Sequence, residues 1–331
     1  MVDRASVFEG LQLGVETTPG TAPGTGANKL LPSVVLSQTI QADATMYKTN
    51  GGKYNVTSAL AQESWEASVS GPATYQELSY LISSAIQGGI TPTTTGTTGK
   101  QWVFQPNQSA PDNQTTFEIQ TGSSVRAQQI DFVIMPDIAF EFTRKEVKLS
   151  GKMIGQKLQD GISLTATPTA IALIPIVPNQ VSIFLDLTAG AIGTTRLTRC
   201  LSAKWSSTGK VGELWTIDAS QASFANDVEL MPKTTMDLTL EADVNGMALL
   251  TDIRNGTTVY VRINCLGPAI PGGTANNTLN IDGGYVVQKV GSFSDNEGVY
   301  AIGFTLEALN DTSAGGFGTV KFTLINALAS L

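Results

Sequence analysis

The sequence predicts a mainly β protein built from two tandem halves, and three observations carry that prediction. Short apolar runs are separated by abundant Gly, Thr, Ala, Ser and Asn. Charged side chains make up only 15% of the chain against 41% apolar ones. Several segments alternate apolar and polar residues with the period of a half-buried strand. A chain of 331 residues is long enough to bury an ordinary core as one large or two medium domains.

From the start, Val7 to Asn28 carries Thr17-Thr18-Pro19-Gly20 and Pro23-Gly24-Thr25-Gly26, residues that punctuate rather than build elements, and reads as an extended arm. Leu31 to Ile40 alternates toward a strand. Gln41 to Gln62 is a polar insertion with Asn50-Gly51-Gly52 near its middle, which reads as a protruding hairpin or a mobile loop. Trp65, Ala67 and Val69 alternate with Glu66 and Ser68 as a strand, ended by Gly71-Pro72. Tyr75, Leu78, Leu81, Ile82, Ala85 and Ile86 then fall at spacings of three and four, predicting a helix from Ala73 to Gln87 closed by Gly88-Gly89. Strands follow near Phe117 to Ile119, Asp131 to Ile134, Ile138 to Thr143 and Val147 to Ile154.

The second half runs in the same order. Strands at Val181 to Asp186 and Leu201 to Trp205 precede an insertion, then Met236, Leu238, Leu240 and Ala242 alternate. A short helix is expected over Gly246 to Arg254, stopped at Asn255-Gly256. Further strands are expected at Val259 to Ile263, Leu279 to Ile281, Tyr285 to Val290, Val299 to Leu306 and Thr319 to Ile325. Local matches point to an internal duplication: Thr116-Phe117-Glu118-Ile119 with Thr278-Leu279-Asn280-Ile281, Ile138-Ala139-Phe140 with Ile302-Gly303-Phe304, and Val147-Lys148-Leu149 with Val320-Lys321-Phe322. The expected division is 1–158, a linker at 159–176, and 177–331.

Composition also excludes chemistry. The chain has no histidine, which removes imidazole-based nucleophile activation and the commonest general base. Gly209-Lys210 is followed by Val211, so no hydroxyl is placed as in a phosphate-binding loop. The pairs Asp137 with Glu141 and Asp237 with Glu241 read as solvated strand faces rather than catalytic carboxylates. Asp295-Asn296-Glu297-Gly298 lacks the remaining ligands of a calcium loop and reads as a turn. Cys200 and Cys265, far apart, read as buried free thiols. No enzymatic activity, cofactor or metal is expected. A formal charge of -8, with Arg144-Lys145 the nearest approach to a basic cluster, disfavours tight nucleic-acid binding. The most apolar stretch, Ala170 to Leu187, is broken by Pro175, Pro178, Asn179 and Asp186, so no membrane insertion is expected. The opening Met1-Val2-Asp3-Arg4-Ala5-Ser6 lacks a secretory pattern, so synthesis in a cytoplasm is expected.

Three stretches together resemble the major tail tube proteins of long, non-contractile-tailed bacteriophages. They are Leu13-Gly14-Val15-Glu16-Thr17-Thr18-Pro19-Gly20-Thr21-Ala22; Val177-Pro178-Asn179-Gln180-Val181-Ser182-Ile183-Phe184-Leu185-Asp186 with Gly193-Thr194-Thr195-Arg196-Leu197; and Leu238-Thr239-Leu240-Glu241-Ala242-Asp243 with Leu249-Leu250 and Ile253-Arg254-Asn255-Gly256. The resemblance implies two β-sandwich or small-barrel domains of tail-tube type, each flanked by a helix. It implies stacked trimeric rings with pseudo-sixfold symmetry that carry DNA through a virion tail. Expected partners are further copies of the chain, the tape-measure, terminator and tip proteins, and DNA in transient passage.

On that reading Glu66, Glu118, Glu141, Asp237 and Glu241 are candidate channel-facing acids. The arm Val7 to Asn28 and the insertions Gln41 to Gln62 and Lys204 to Lys233 are candidate assembly segments, with Tyr47, Trp215 and Phe224 as contacts buried on assembly. Alternatively, the insertions fold back over their own domain. Competing readings are a baseplate or connector ring protein and a carbohydrate-binding β-sandwich using Trp65, Trp102, Trp205 or Trp215.

Overall fold

The computed structural model describes residues 10–218, 222–243, 247, 255–311 and 318–331. It is mainly β. In chain order the first half contains β1 (Gly10–Val15), β2 (Lys29–Leu30), β3 (Val35–Lys48), β4 (Asn55–Pro72), helix α1 (Leu78–Ala85), β5 (Thr93–Thr95), β6 (Gly99–Phe104), β7 (Phe117–Gly122), β8 (Ala127–Phe142), β9 (Val147–Gly155), β10 (Leu158–Ile162) and β11 (Thr169–Ala170). The second contains β12 (Val181–Asp186), β13 (Cys200–Thr208), β14 (Val211–Leu214), β15 (Asn226–Glu229), β16 (Lys233–Glu241), β17 (Val259–Ala269), β18 (Asn276–Val290), β19 (Ser294–Asn296), β20 (Val299–Leu309) and β21 (Lys321–Asn326).

Strand pairing repeats. In the first half β1–β7–β8–β10 form one layer and β3–β4–β9–β8 the other, with the long β8 running through both. In the second half β12–β17–β18–β21 and β13–β16–β20–β18 have the same order and the same shared strand. A strand can serve two layers only by bending, and both shared strands carry a register shift where they do so, at Ile134/Asp137 and Val287/Lys289. The three short matches each fall one strand out of step: β7 corresponds to β17, not to β18, β8 to β18, not to β20, and β9 to β20, not to β21. Alternating apolar tripeptides recur in every strand of a half-buried sheet, so short matches report burial rather than equivalence.

The halves are not separate bodies. β8 pairs with β13, and β6 pairs with β21. One core cluster draws on both halves, with Phe322 packed edge-on against Trp205 at 5.0 Å and tilted against Phe140 at 6.1 Å. The stretch read as a linker contributes strands as well, β10 on β8 and β11 on β2.

Helix α1 lies at the centre of this core. All eight residues are buried, so the helix is covered all round rather than on one face. It is shorter than the expected span because Thr74 and Glu77 serve as anchors: the Thr74 hydroxyl donates to the Glu77 carboxylate (2.6 Å), which also accepts from the Ser33 amide (3.0 Å). Asn326 Nδ2 donates to the Tyr75 carbonyl and to Ser79 Oγ, tying the helix to the end of the chain. The helix expected at Gly246 to Arg254 lies outside the described residues, save that the Met247 amide donates to the Asp243 carbonyl at 3.0 Å.

The N-terminal arm is corrected over Gly10–Val15. β1 is a strand inside the sheet, paired to β2 and β7, with Leu11 and Leu13 buried. Leu11, Leu13 and Val15 alternate, and that period outweighs the punctuating residues that follow.

Candidate functional site

Pairing of β8 with β13 joins the outer layers of the two halves into a single sheet of eight strands, β3–β4–β9–β8–β13–β16–β20–β18. One face of this sheet is the core, through Trp65, Phe140, Trp205, Met236 and Leu306. The other face is polar and open across its middle, while at one end Ser64, Ile134 and Ile154 are buried, with Val211 of the segment after β13 packed on Ile134 and Ile154. Registered across it lie Lys148, Glu141, Lys204, Asp237, Thr305 and Lys289, one from each of six neighbouring strands. The next row holds Ser70, Ser150, Ala139, Ser206, Thr235 and Glu307. Successive side chains alternate between faces, so strands that read half-buried deliver a continuous polar surface once they are in register.

Four of the five candidate acids share this face: Glu66, Glu141, Asp237 and Glu241. They do not form a bare acidic wall. Lys152 Nζ lies 2.7 Å from Glu66, Arg199 lies 2.6 Å from Glu241, and Thr305 donates to Asp237 at 2.7 Å. Lysines stand between the carboxylates, and each residue's field is largely cancelled by its neighbours.

Glu118 is elsewhere, and its expected exposure is corrected. It lies on β7 of the inner layer, 1% exposed, accepting from Gln120 Nε2. Gln12, Gln120, Gln129 and Gln159 stand opposite one another across β1, β7, β8 and β10 beside it. The Thr165 amide donates to Gln120 Oε1 (2.7 Å), so an irregular segment covers this polar row. Alternation along β7 cannot reveal such a cover. Burial pushes the carboxyls of Glu118, Glu16 and Asp131 above their ordinary range, and repulsion from neighbouring carboxylates adds to the rise at Glu118 and Glu16. Glu118 Oε2 and Gln12 Oε1 are buried without a hydrogen-bond partner.

The second feature is the β3–β4 hairpin, which resolves the Gln41 to Gln62 insertion as a projecting ribbon. Nearly all its residues from 41 to 62 are exposed. Its two faces differ. Ile40, Ala42, Ala44, Met46, Ser58 and Leu60 continue the core face of Leu36, Trp65 and Val69 outward, and Ile40, Met46 and Leu60 are at least half exposed. Tyr47 is exposed as expected, but with Thr45 and Thr57 on the opposite, polar face.

The insertion between β13 and β16 folds back, which corrects the expectation for Phe224. That side chain is fully buried, edge-on to Phe132 at 5.3 Å, and Trp215 packs edge-on to it at 6.1 Å and is itself half-buried. β14 pairs with β15, Val211 clusters with Ile134 and Ile154, and Gln156 Nε2 donates to the Phe224 carbonyl at 2.8 Å. Lys210, with a side chain 3% exposed, is held between Asp112 and Glu229. An aromatic in a polar stretch signals burial, but sequence alone does not say whether its own domain or a partner supplies the cover.

Other chemistry finds little support in the geometry. Trp65, Trp102 and Trp205 are buried and offer a sugar no exposed face, which leaves only the half-buried Trp215. Among the described residues no group of three or more His, Cys, Asp or Glu side chains could hold a metal ion. Burial pushes the Cys200 thiol up to about 12, so it is unreactive at neutral pH. A cavity of about 830 Å³ is lined by Glu16, Asp112, Asp227 and Glu229 among others, of which Asp112 and Glu229 are already engaged by Lys210. No helix among the described residues is long and apolar enough to cross a membrane. No protein-family model matches the chain, and no curated protein matches it either.

Proposed function

We propose that this chain is a structural subunit that closes into trimeric rings and stacks into the tail tube of a bacteriophage, a conduit for DNA delivery. The observation that carries this reading is the eight-stranded sheet formed by two units of the same pairing order, with one face packed and the other polar and open across its middle strands. A single domain has no need of a wide, continuous polar sheet face. A channel wall does.

Three copies would supply about 24 strands. At about 4.8 Å between strands and a tilt of about 40°, such a barrel has a backbone diameter of about 50 Å. Side chains take about 5 Å from each side, leaving room for a hydrated duplex. The alternation of Lys148, Glu141, Lys204 and Asp237 suits passage rather than binding: phosphates gain little net attraction from lysines already facing carboxylates. The apolar face of the β3–β4 hairpin, exposed in the single chain, would be buried against the neighbouring ring, and the tape-measure, terminator and tip proteins would meet the inside and ends of the tube. No covalent link is needed, because burying roughly 2,000 Å² per contact outweighs the ordering cost.

Negative-stain electron microscopy of the concentrated protein tests this. Hollow tubes, or rings of three chains with six lobes, are expected. Monomers alone, in the microscope and in sedimentation at the same concentration, would overturn it.

A further inference from the structure

The polar sheet has two open ends. Among the described residues β3 pairs only with β4, so its outer edge from Val35 to Lys48 is unpaired. At the other end the outer edge of residues 286–290 of β18 and of β19 is unpaired among the described residues as well. Exposed edges of this length are templates for a further strand, and proteins that do not use them blunt or cover them. Neither end is covered by the described residues.

The repeat shows what fits between them. The segment equivalent to β18–β19 in the first half is the end of β8, and the segment equivalent to β3 in the second half is β13. Inside the chain, β8 and β13 are paired. We infer that β3 of one copy pairs antiparallel with the β18–β19 edge of the next copy, repeating between chains the β8–β13 junction that joins the two halves within one. This partner assignment rests on the tube reading.

The register follows from counterparts. The Ala73 amide donates to the Val147 carbonyl, as the Ala242 amide does to the Tyr300 carbonyl, which makes Tyr300 the counterpart of Val147. Since Glu141 faces Lys148 and Ser294 faces Ala301, Ser294 takes the place of Glu141. Since Lys204 faces Asp237 and Ser37 faces Ser68, Ser37 takes the place of Lys204. Lys204 faces Glu141 within the chain, so Ser37 faces Ser294 between chains. One extra residue between Val290 and Ser294 makes a bulge in the second-half edge, which the strand pairing must bridge.

Burial supports the same match independently. Val147 and Phe142 are 2% and 3% exposed because the second half covers them, whereas Tyr300 is 61% exposed and the neighbouring Phe293, stacked on it at 4.8 Å, is 45% exposed. On the facing edge Val35 and Ile40 are at least half exposed. Apolar side chains stand open at the two edges that the repeat pairs.

The test is disulfide trapping. Opposed residues of an antiparallel pair have Cα atoms about 4.5–5.5 Å apart, within disulfide reach, whereas a shift of two residues moves them beyond about 7 Å. The double variant Ser37→Cys/Ser294→Cys, assembled and then oxidised, is expected to give covalent trimers on non-reducing gels. Thr39→Cys/Ser294→Cys, two residues out of register on the same face, and each single variant are expected to give at least tenfold less. Rings or tubes that trap no more at Ser37/Ser294 than at the displaced pair overturn this pairing and leave the tube reading standing. A chain that never assembles overturns both.

Discussion

Lys204 stands directly opposite Glu141, and on its other side directly opposite Asp237, where β13 of the second half adds to the sheet of the first. A cation between two carboxylates makes this junction a charge-matched seam. Each such cross-strand pair contributes about 0.2–1 kcal/mol, and like charges cost as much.

Lys204→Glu therefore places three carboxylates side by side and is expected to lower stability by about 1–2 kcal/mol. Because the row is solvent-exposed, at 1 M salt, where screening acts within about 3 Å, most of the loss should disappear. Urea unfolding at low and high salt measures this; a loss that salt leaves unchanged would mean that packing, not charge, holds the seam.

Phe224→Ala removes the aromatic that seats the β14–β15 insertion between Phe132 and Trp215. Buried Phe→Ala changes cost about 3–5 kcal/mol when a whole core must absorb them. This site lies under a surface insertion, so the expected result is local release: rapid protease cleavage within residues 209–232 while the rest stays folded. Cleavage no faster than in the parent chain would show that Lys210 and its two carboxylates hold the insertion without the aromatic.

The mainly β class, α1 and the β3–β4 hairpin were legible because each is written in local periodicity or punctuation. The duplication was legible as an order of elements and illegible as an alignment, since Val147-Lys148-Leu149 resembles any alternating strand as well as its true counterpart. Glu66, Glu141, Asp237 and Glu241 are channel-facing candidates on the resemblance, and it is strand register that puts these four on one face. Glu118 and Phe224 were misplaced because an irregular segment covers one and a folded-back insertion covers the other. Strand alternation gives the face on which a side chain lies; it cannot say what lies over that face.

Glu118, Glu16 and Asp131 should make stability depend on pH in an unusual direction. Burial raises all three carboxyls, so the folded chain holds their protons more tightly than the unfolded chain does. Their contribution is fullest below the unfolded values of about 4 and is lost as pH rises through the higher folded values. Stability should therefore fall as pH rises through that window. Glu118→Gln cannot ionise and can offer an N–H to Gln12 Oε1, so it is expected to gain about 1 kcal/mol at pH 7 and to flatten this slope. Thermal melts from pH 4 to pH 8 read both, and an unchanged slope would clear Glu118 of the effect.

The hairpin separates folding from assembly. Met46, Val56 and Leu60 are each at least half exposed in the single chain, so changing all three to Ser should alter stability by only about 0.5 kcal/mol per site. Stacking should be lost, leaving rings that do not elongate. Tyr47→Ala, on the opposite face, should elongate normally. Elongation by the triple variant as fast as by the parent chain would assign stacking to another surface.

Neutralising the carboxylates in the seam tests what the alternation is for. Glu141→Gln with Asp237→Asn leaves Lys148, Lys204 and Lys289 in one row without the acids between them. The substitutions are exposed and nearly isosteric, so assembly should persist. If the face lines a channel, three copies now present three such rows to a duplex, and every phosphate that a lysine neutralises adds about 0.9 to the steepness with which log affinity falls against log salt. Parent tubes should bind a short fluorescent duplex barely at all. Variant tubes should bind it at 50 mM salt and release it by 200 mM, a range over which a handful of phosphate contacts loses about a thousandfold in affinity. If parent and variant tubes bind the duplex equally, the row does not line the path of the DNA.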